Sequence, residues 1–238
     1  MSGPRTAYLL NLGVVEYREA WDVQRSLAAA VSQGAIPDTV LLLEHPAVVT
    51  VGRLTGAGEL HLPAGAEVDV VETDRGGRST YHGPGQLVCY PLLDLNRHGR
   101  DVKRYCRNLE EAVISTLAAF ELAGERIEGL TGVWLRPPPR KICSIGVHIS
   151  RWVTTHGYAL NVDLDTRPFT EWITACGLDD AAFTTIASEV GRAVAVDEVR
   201  PVAAAALEEV LGLAFEELPA DEGAGLWSQP THARLASR

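Results

Sequence analysis

No window of this 238-residue chain approaches the roughly 18 consecutive apolar residues of a membrane-spanning helix. The opening Met1-Ser2-Gly3-Pro4-Arg5-Thr6 lacks an apolar run ending in a cleavage site, so no secretory signal is read and a cytoplasmic protein is expected. The four cysteines, Cys89, Cys106, Cys143 and Cys176, form no C-x-x-C pair and match no zinc spacing. Reduced thiols are the expectation, with Cys89 on an apolar strand and Cys106 on a helix as core residues. H-E-x-x-H, G-x-x-x-x-G-K-S/T and G-x-G-x-x-G are all missing, so no motif calls for a metal or a nucleotide cofactor, and neither is expected. A net charge of -10 argues against nonspecific nucleic-acid binding, which needs basic groups to neutralise phosphates. No internal repeat or composition shift divides the chain.

What is present is concentrated in one loop. Arg75-Gly76-Gly77-Arg78-Ser79-Thr80-Tyr81-His82-Gly83-Pro84-Gly85-Gln86 lies between two strand-like runs, Val68–Val71 and Leu87–Tyr90. Glycine lets a ligand approach the backbone closely. A glycine-rich loop held by two strands can line a pocket, with Arg75, Arg78 and His82 as polar anchors. It can also be an ordinary connection with solvated arginines. His45, beside Pro46, lies at another turn, and it too is either a pocket liner or a satisfied structural histidine. A second concentration is basic: Arg97, Arg100, Lys103, Arg104 and Arg107, either a solvated helix face or a patch for an acidic partner.

Hydrophobic spacing predicts helices over 16–33 and 101–123, the latter capped by Asp101 and Gly124, with Val102, Tyr105, Cys106, Leu109, Val113, Leu117 and Phe120 in one stripe. A last helix is predicted from Pro201, a residue suited to a first turn, to Leu211. Short strands are expected at 39–43, 48–51 and 133–135, and strands 141–149 and 154–162 are close enough to pair as a hairpin. The sum is an α+β fold, a mostly antiparallel sheet with packed helices, in a single domain over 1–219 followed by a frayed tail over 220–238.

Two residues attract chemical attention. Cys176, followed by Gly177, is either an exposed nucleophile or a buried structural thiol. A nucleophilic thiol needs a neighbour that favours thiolate or takes its proton, and His82, His148, His156 or a desolvated lysine could serve. Lysine is scarce here, and Lys141 sits in an otherwise apolar strand, where its charge is either solvated at the strand end or put to use.

Taken together, these segments resemble the lipoyl(octanoyl) transferase family. The likeness runs through His45-Pro46, Thr50-Val51-Gly52-Arg53, Arg75-Gly76-Gly77, Thr80-Tyr81-His82-Gly83-Pro84-Gly85-Gln86-Leu87-Val88, Tyr90, Asp94-Leu95 and Gly132-Val133-Trp134. It continues through Lys141-Ile142, Ile145-Gly146, His156-Gly157, Ala159-Leu160-Asn161 and Cys176-Gly177. The pieces keep family order over residues 45–178. One departure is Ala175, where the family often has proline. The resemblance implies the catalytic-domain fold of the biotin and lipoate ligases. It implies transfer of an octanoyl group from acyl carrier protein to a lysine of lipoyl domains, those of the 2-oxoacid dehydrogenases and the glycine cleavage H protein, in lipoate biosynthesis. Cys176 would carry the acyl group as a thioester, and Lys141 would lower the thiol pKa and handle protons. By the same matching, Arg75 to His82, Ser144-Ile145-Gly146 and Gly157-Tyr158-Ala159 would line the substrate site, and the protein would be a monomer. The rival readings are an ATP-dependent lipoate- or biotin-type ligase, a non-catalytic acyl-binding module, and a thioesterase.

Overall fold

The computed structural model describes residues 3–63, 65–174 and 182–219. Among these, the main sheet has nine strands. They are β1 (Arg5–Val14), β2 (Asp38–Glu44), β6 (Gln86–Leu92), β7 (Glu125–Ile127), β8 (Leu130–Leu135), β9 (Arg140–Ser150), β10 (Val153–Asn161), β11 (Ala182–Phe183) and β12 (Leu213–Leu218). The spatial order is β12-β1-β2-β6-β10-β9-β8-β7, with β11 alongside β9. From β2 through β6, β10, β9 and β8 to β7 every pairing is antiparallel. A parallel flank is formed by β12, β1 and β2. A smaller sheet orders β4 (Asp69–Glu72), β3 (Val48–Val51) and β5 (Thr80–His82). The α+β class and the mostly antiparallel sheet are therefore as expected. β1 and β12 have no counterpart among the expected strands. β1 is packed on both faces, with Ala7 and Leu9 in the core on one side of the sheet and Leu10 in the core on the other, and a strand covered on both faces loses the two-residue alternation that would reveal it.

The expected hairpin is present: β9 turns into β10 through Arg151 and Trp152, both at positive φ (49° and 68°), with Ser150 opposite Val153. Two left-handed residues match the twist of the flanking strands, as in a type I′ turn.

α1 (Tyr17–Ser32) covers one face of the sheet, setting Ala20, Val23 and Leu27 against Leu10, Leu41, Leu43 and Val88. α2 (Val102–Ala118) and α5 (Val196–Leu211) cover the other, over Leu87, Cys89, Tyr158 and Leu160. The short α3 (Pro168–Glu171) and α4 (Ile186–Val190) complete the helices among the described residues. Asp101 caps α2 as expected, accepting from the Arg104 N–H at 2.9 Å. The other end differs. α2 stops at Ala118, and Glu121, at φ 59°, takes the left-handed position while the Leu122 N–H reaches back to the Leu117 carbonyl. That closes the helix three residues before Gly124. The stripe also differs: Val102 is exposed, Cys106 only half-buried, and Glu110 is inside. α5 starts at Val196, five residues before Pro201, which lies within it. The Glu198 carboxylate accepting from the Ala195 N–H at 3.1 Å sets that start, a stronger signal than a proline tolerated further in.

β6 and β10 carry the site, and their approach depends on Gly157. A Cβ there would lie 2.2 Å from the Cys89 carbonyl oxygen and 2.7 Å from Pro91 Cδ. Gly157→Ala is expected to destabilise the fold by about 3 kcal/mol, the upper end of overpacking costs. Urea denaturation should show the midpoint falling with the slope unchanged.

Candidate active site

A cavity of about 250 Å³ opens where the small sheet and the glycine-rich loop lean on β9, β10 and the start of α1. Arg75 builds the loop. Its buried guanidinium donates to the Thr50 carbonyl at 2.8 Å, to Thr50 Oγ1 at 2.7 Å, and to the carbonyls of Gly76 and Arg78 at 3.1 and 2.7 Å. The loop is thus tied to β3 and folded round one side chain. Gly77 (φ 85°) makes the turn, and the Gly76 N–H donates to the Val147 carbonyl of β9 at 2.9 Å. Arg78 is ion-paired with Glu59, and Ser79 Oγ lies 3.3 Å from Thr55 Oγ1.

Arg75, Gly77, Arg78, Ser79, Thr80 and His82 all line the cavity, as do Ser144, Ile145 and Gly146 of β9 and Gly157, Tyr158 and Ala159 of β10. Gly76 and Tyr81 are not in its wall. Strand alternation explains Tyr81: Thr80 and His82 face the cavity, and the Tyr81 ring points the other way, edge-on to Phe169 and Trp172 at 5.8 and 5.6 Å. Gly76 contributes its backbone to β9 instead.

Lys141 also lines the cavity. It is buried on β9, with its Nζ 5.3 Å from the centroid of the Trp134 ring. Space for its stem comes from Gly132, where a Cβ would lie 2.7 Å from Lys141 Cε and 2.5 Å from the Cys143 carbonyl. The Gly132 N–H points to buried Glu110, 3.3 Å away, which is itself held by Arg107 and Arg126. Phe183 of β11 pairs with Lys141, and the Thr184 N–H donates to the Lys141 carbonyl at 3.0 Å. Cys176 lies outside the described residues. Burial pushes the thiols of Cys89, Cys143 and Cys106 up, so all three are protonated and poorly nucleophilic.

Several residues of the wall carried no signal of their own in the sequence. Tyr17, Leu54, Leu130, Thr131 and Phe183 reach it from separate elements. The partner of His156 was equally silent and stands behind the wall: His156 Nε2 lies 2.8 Å from Oδ1 of Asp74, one residue before the glycine-rich loop. His45 is a satisfied core histidine behind the wall. Its Nδ1–H donates to the Val15 carbonyl at 2.6 Å, which leaves Nε2 to accept from the Tyr90 hydroxyl at 2.7 Å. His82 Nδ1 likewise donates to Gln86 Oε1 at 2.7 Å. Burial pushes the imidazoles of His45, His82 and His156 down, so all three are neutral near pH 7. Among the described residues no group of three or more His, Cys, Asp or Glu side chains could hold a metal. The basic cluster is largely engaged within the fold: Arg97 with Asp38 and Asp94, Arg107 with Glu110, Arg104 with the His98 carbonyl, and Arg100 over the Trp152 ring.

Residues 16–208 match the family model described as the lipoyl protein ligase A/B catalytic domain. An octanoyltransferase of Chloroflexus aurantiacus is 50% identical over 217 residues, covering 88% of this chain and 96% of that protein. An octanoyltransferase of Mycobacterium tuberculosis is 51% identical over 199 residues, covering 83% of this chain and 84% of that protein. Among solved structures, a lipoate-protein ligase A bound with ATP superposes with a TM-score of 0.74 at 17% identity, covering 95% of this chain and 93% of that one. That likeness establishes the fold.

The buried histidines make the fold acid-sensitive. His45 is lowered from 6.5 to about 4 by burial. Its contribution is therefore present above pH 6.5 and lost as pH falls through about 4, a loss of about 3 kcal/mol in total. Urea titrations at pH 7 and pH 4.5 should show the wild type losing stability on acidification. His45→Asn, whose amide N–H can still reach the Val15 carbonyl, should show a flatter dependence.

Proposed function

Because the chain belongs to the lipoyl protein ligase A/B catalytic-domain family, among its octanoyltransferases, we propose that it moves the octanoyl group through a thioester on Cys176, with Lys141 managing the protons. The donor is the octanoyl thioester on the phosphopantetheine arm of acyl carrier protein. The Cys176 thiol gives its proton to Lys141, and the thiolate attacks the acyl carbon. The bond from carbon to the pantetheine sulfur breaks, and that sulfur takes the proton back from Lys141. One thioester replaces another, so no ATP is consumed. In the second half the side-chain amine of a lysine attacks the enzyme thioester, an amide forms, and the Cys176 thiol is regenerated. The acceptors are lipoyl domains, those of the 2-oxoacid dehydrogenases and the glycine cleavage H protein.

The observation that carries this reading is the pairing of Phe183 with Lys141. The chain that leaves Thr174, whose N–H is bonded to the Glu59 carbonyl at 2.9 Å, rejoins the sheet at Ala182, six residues beyond Cys176 and beside Lys141. The chain that follows Cys176 in sequence is thus anchored on the strand of Lys141, which supports the assignment. The cavity supports the substrate class. Leu54, Val88, Leu130, Trp134, Ile145 and Phe183 supply apolar wall, and each methylene buried is worth about 0.8 kcal/mol. A backbone N–H near Gly77 would suit a developing oxyanion. The three described cysteines are all protonated by burial, which supports Cys176 as the nucleophile.

Intact-mass spectrometry after incubation with octanoyl-acyl carrier protein tests the assignment. Wild type should gain one octanoyl adduct and Cys176→Ser none. Lys141→Ala should acylate about 100-fold or more slowly, the usual contribution of a positioned proton carrier. An adduct that persists in Cys176→Ser, or an adenylate formed from octanoate and ATP, would sink the reading.

A further inference from the structure

The second half-reaction has a proton to lose. The acceptor lysine arrives in water as an ammonium and ends as an amide. Cys176 leaves as thiolate and takes back one proton, so one more must depart. Lys141 can shuttle the leaving group's proton but has no net capacity for the second.

Three buried histidines lie at or behind the cavity, and their partners separate them. His45 uses both ring nitrogens, on the Val15 carbonyl and the Tyr90 hydroxyl. His82 is boxed between the Tyr17 ring, stacked at 5.8 Å, and His45 at 5.6 Å, and its Nδ1 is bound to Gln86. His156 is different. Its Nε2 faces Asp74 Oδ1 at 2.8 Å, which places the ring proton there and leaves Nδ1 as a lone pair 3.5 Å from the Tyr17 hydroxyl. Both Tyr17 and His156 stand in the cavity wall that holds Lys141. Asp74 is 36% exposed, and its other oxygen lies 3.6 Å from His148 Nε2, so the pair leads from the cavity to solvent. The backbone underlines the placement. His156 has φ 57° inside a strand, and its N–H is held by Oε1 of fully buried Gln24 at 2.7 Å. A left-handed residue other than glycine is strained and persists only where its surroundings impose it.

We propose that the Tyr17–His156–Asp74 chain takes the proton the acceptor lysine releases as it attacks the thioester. The inference rests on the thioester reading above. The ammonium proton passes to the Tyr17 oxygen while the Tyr17 hydroxyl proton passes to His156 Nδ1. The amine lone pair then forms the C–N bond, and the tetrahedral intermediate expels the Cys176 sulfur. That sulfur takes the remaining amine proton by way of Lys141. The imidazolium, held by the Asp74 carboxylate, releases its proton to water. The groups facing the imidazole suit this. Arg75, Tyr17, Tyr90 and the Trp21 ring press on it from the inside, and Asp74 and His148 from the rim. Burial keeps the imidazole neutral and pushes the Tyr17 phenol up to about 12, so the tyrosine relays a proton without ionising. Asp74 is a positioning residue that holds the tautomer.

The two half-reactions can be timed separately: acylation by octanoyl-acyl carrier protein, then transfer from the loaded enzyme to a lipoyl domain, each followed by intact mass. In His156→Gln the transfer rate should fall about 100-fold more than the acylation rate. Asp74→Asn and Tyr17→Phe should shift the same ratio in the same direction, and they carry the test if His156→Gln does not fold. Wild-type transfer should reach its plateau near neutral pH. The variants should instead keep climbing towards the amine's own pKa near about 10.4, with partial rescue there. Equal loss in both halves, or a transfer pH profile left unchanged, overturns the proposal. If wild type forms no adduct at all, the thioester reading itself fails, and this inference with it.

Discussion

A single buried guanidinium organises this protein's site. Arg75 is nearly sealed from solvent, and among the described residues no carboxylate forms an ion pair with it. Its donors go instead to oxygens of Thr50, Gly76 and Arg78. Burying a charge is costly unless it is hydrogen-bonded on all sides, and a loop of small residues whose carbonyls can turn inward supplies those bonds. The glycines of 76–77 are therefore structural partners of Arg75 as well as a permissive surface for a ligand. Without the guanidinium, carbonyls from two segments would point at one another with nothing between them, and the small sheet would lose its link to the loop. The same charge helps hold His82 and His156 neutral, so a fold-stabilising contact also sets the state of the site.

How much of this was legible in the sequence follows from how local each feature is. The glycine-rich loop, the Asp101 cap and the β9–β10 hairpin each involve residues close in the chain, and their signals are intact. Lys141 stood out because a lysine in an apolar strand is unusual. What escaped notice depends on long-range partners. Nothing local marks Asp74 as the partner of His156, since 82 positions separate them. Gln24 looks like a polar residue of a helix, yet it is fully buried because the strained His156 backbone requires an acceptor. β1 was hidden because burial of both its faces erased its alternation. Pro201 misplaced the start of α5 because the Glu198 cap, which sets it, competes with a more familiar proline signal. Tyr81 was grouped with its neighbours in the loop, but a strand sends adjacent side chains to opposite sides.

The chemistry also divides residues that look alike. Two of the three described cysteines, Cys89 and Cys143, lie in the core and Cys106 is half-buried, and desolvation suppresses the thiolate of each. Three histidines are neutral for the same reason, yet only His156 is linked through its far nitrogen to an exposed carboxylate. Burial thus decides the protonation state, and connectivity decides which neutral imidazole has somewhere to send a proton.

The distribution of charge about the cavity extends this to the acceptor. The wall contains Arg75, Arg78 and Lys141 and, among the described residues, no carboxylate. Every nearby acid is held behind it: Glu59 on Arg78, Asp74 on His156, and Glu110 on Arg107 and Arg126. Such a wall favours a thiolate or an oxyanion and disfavours an entering ammonium. A like charge within about 4–6 Å lowers the pKa of an amine, so in the proposed mechanism the arginine cations that stabilise the attacked thioester would also push the acceptor lysine toward the neutral form that can attack it. A carboxylate in the wall would have reversed both effects, binding the ammonium tightly and leaving it unreactive. The site therefore gains by keeping its acids one layer back, where they orient the groups in front of them without entering the field the substrates meet.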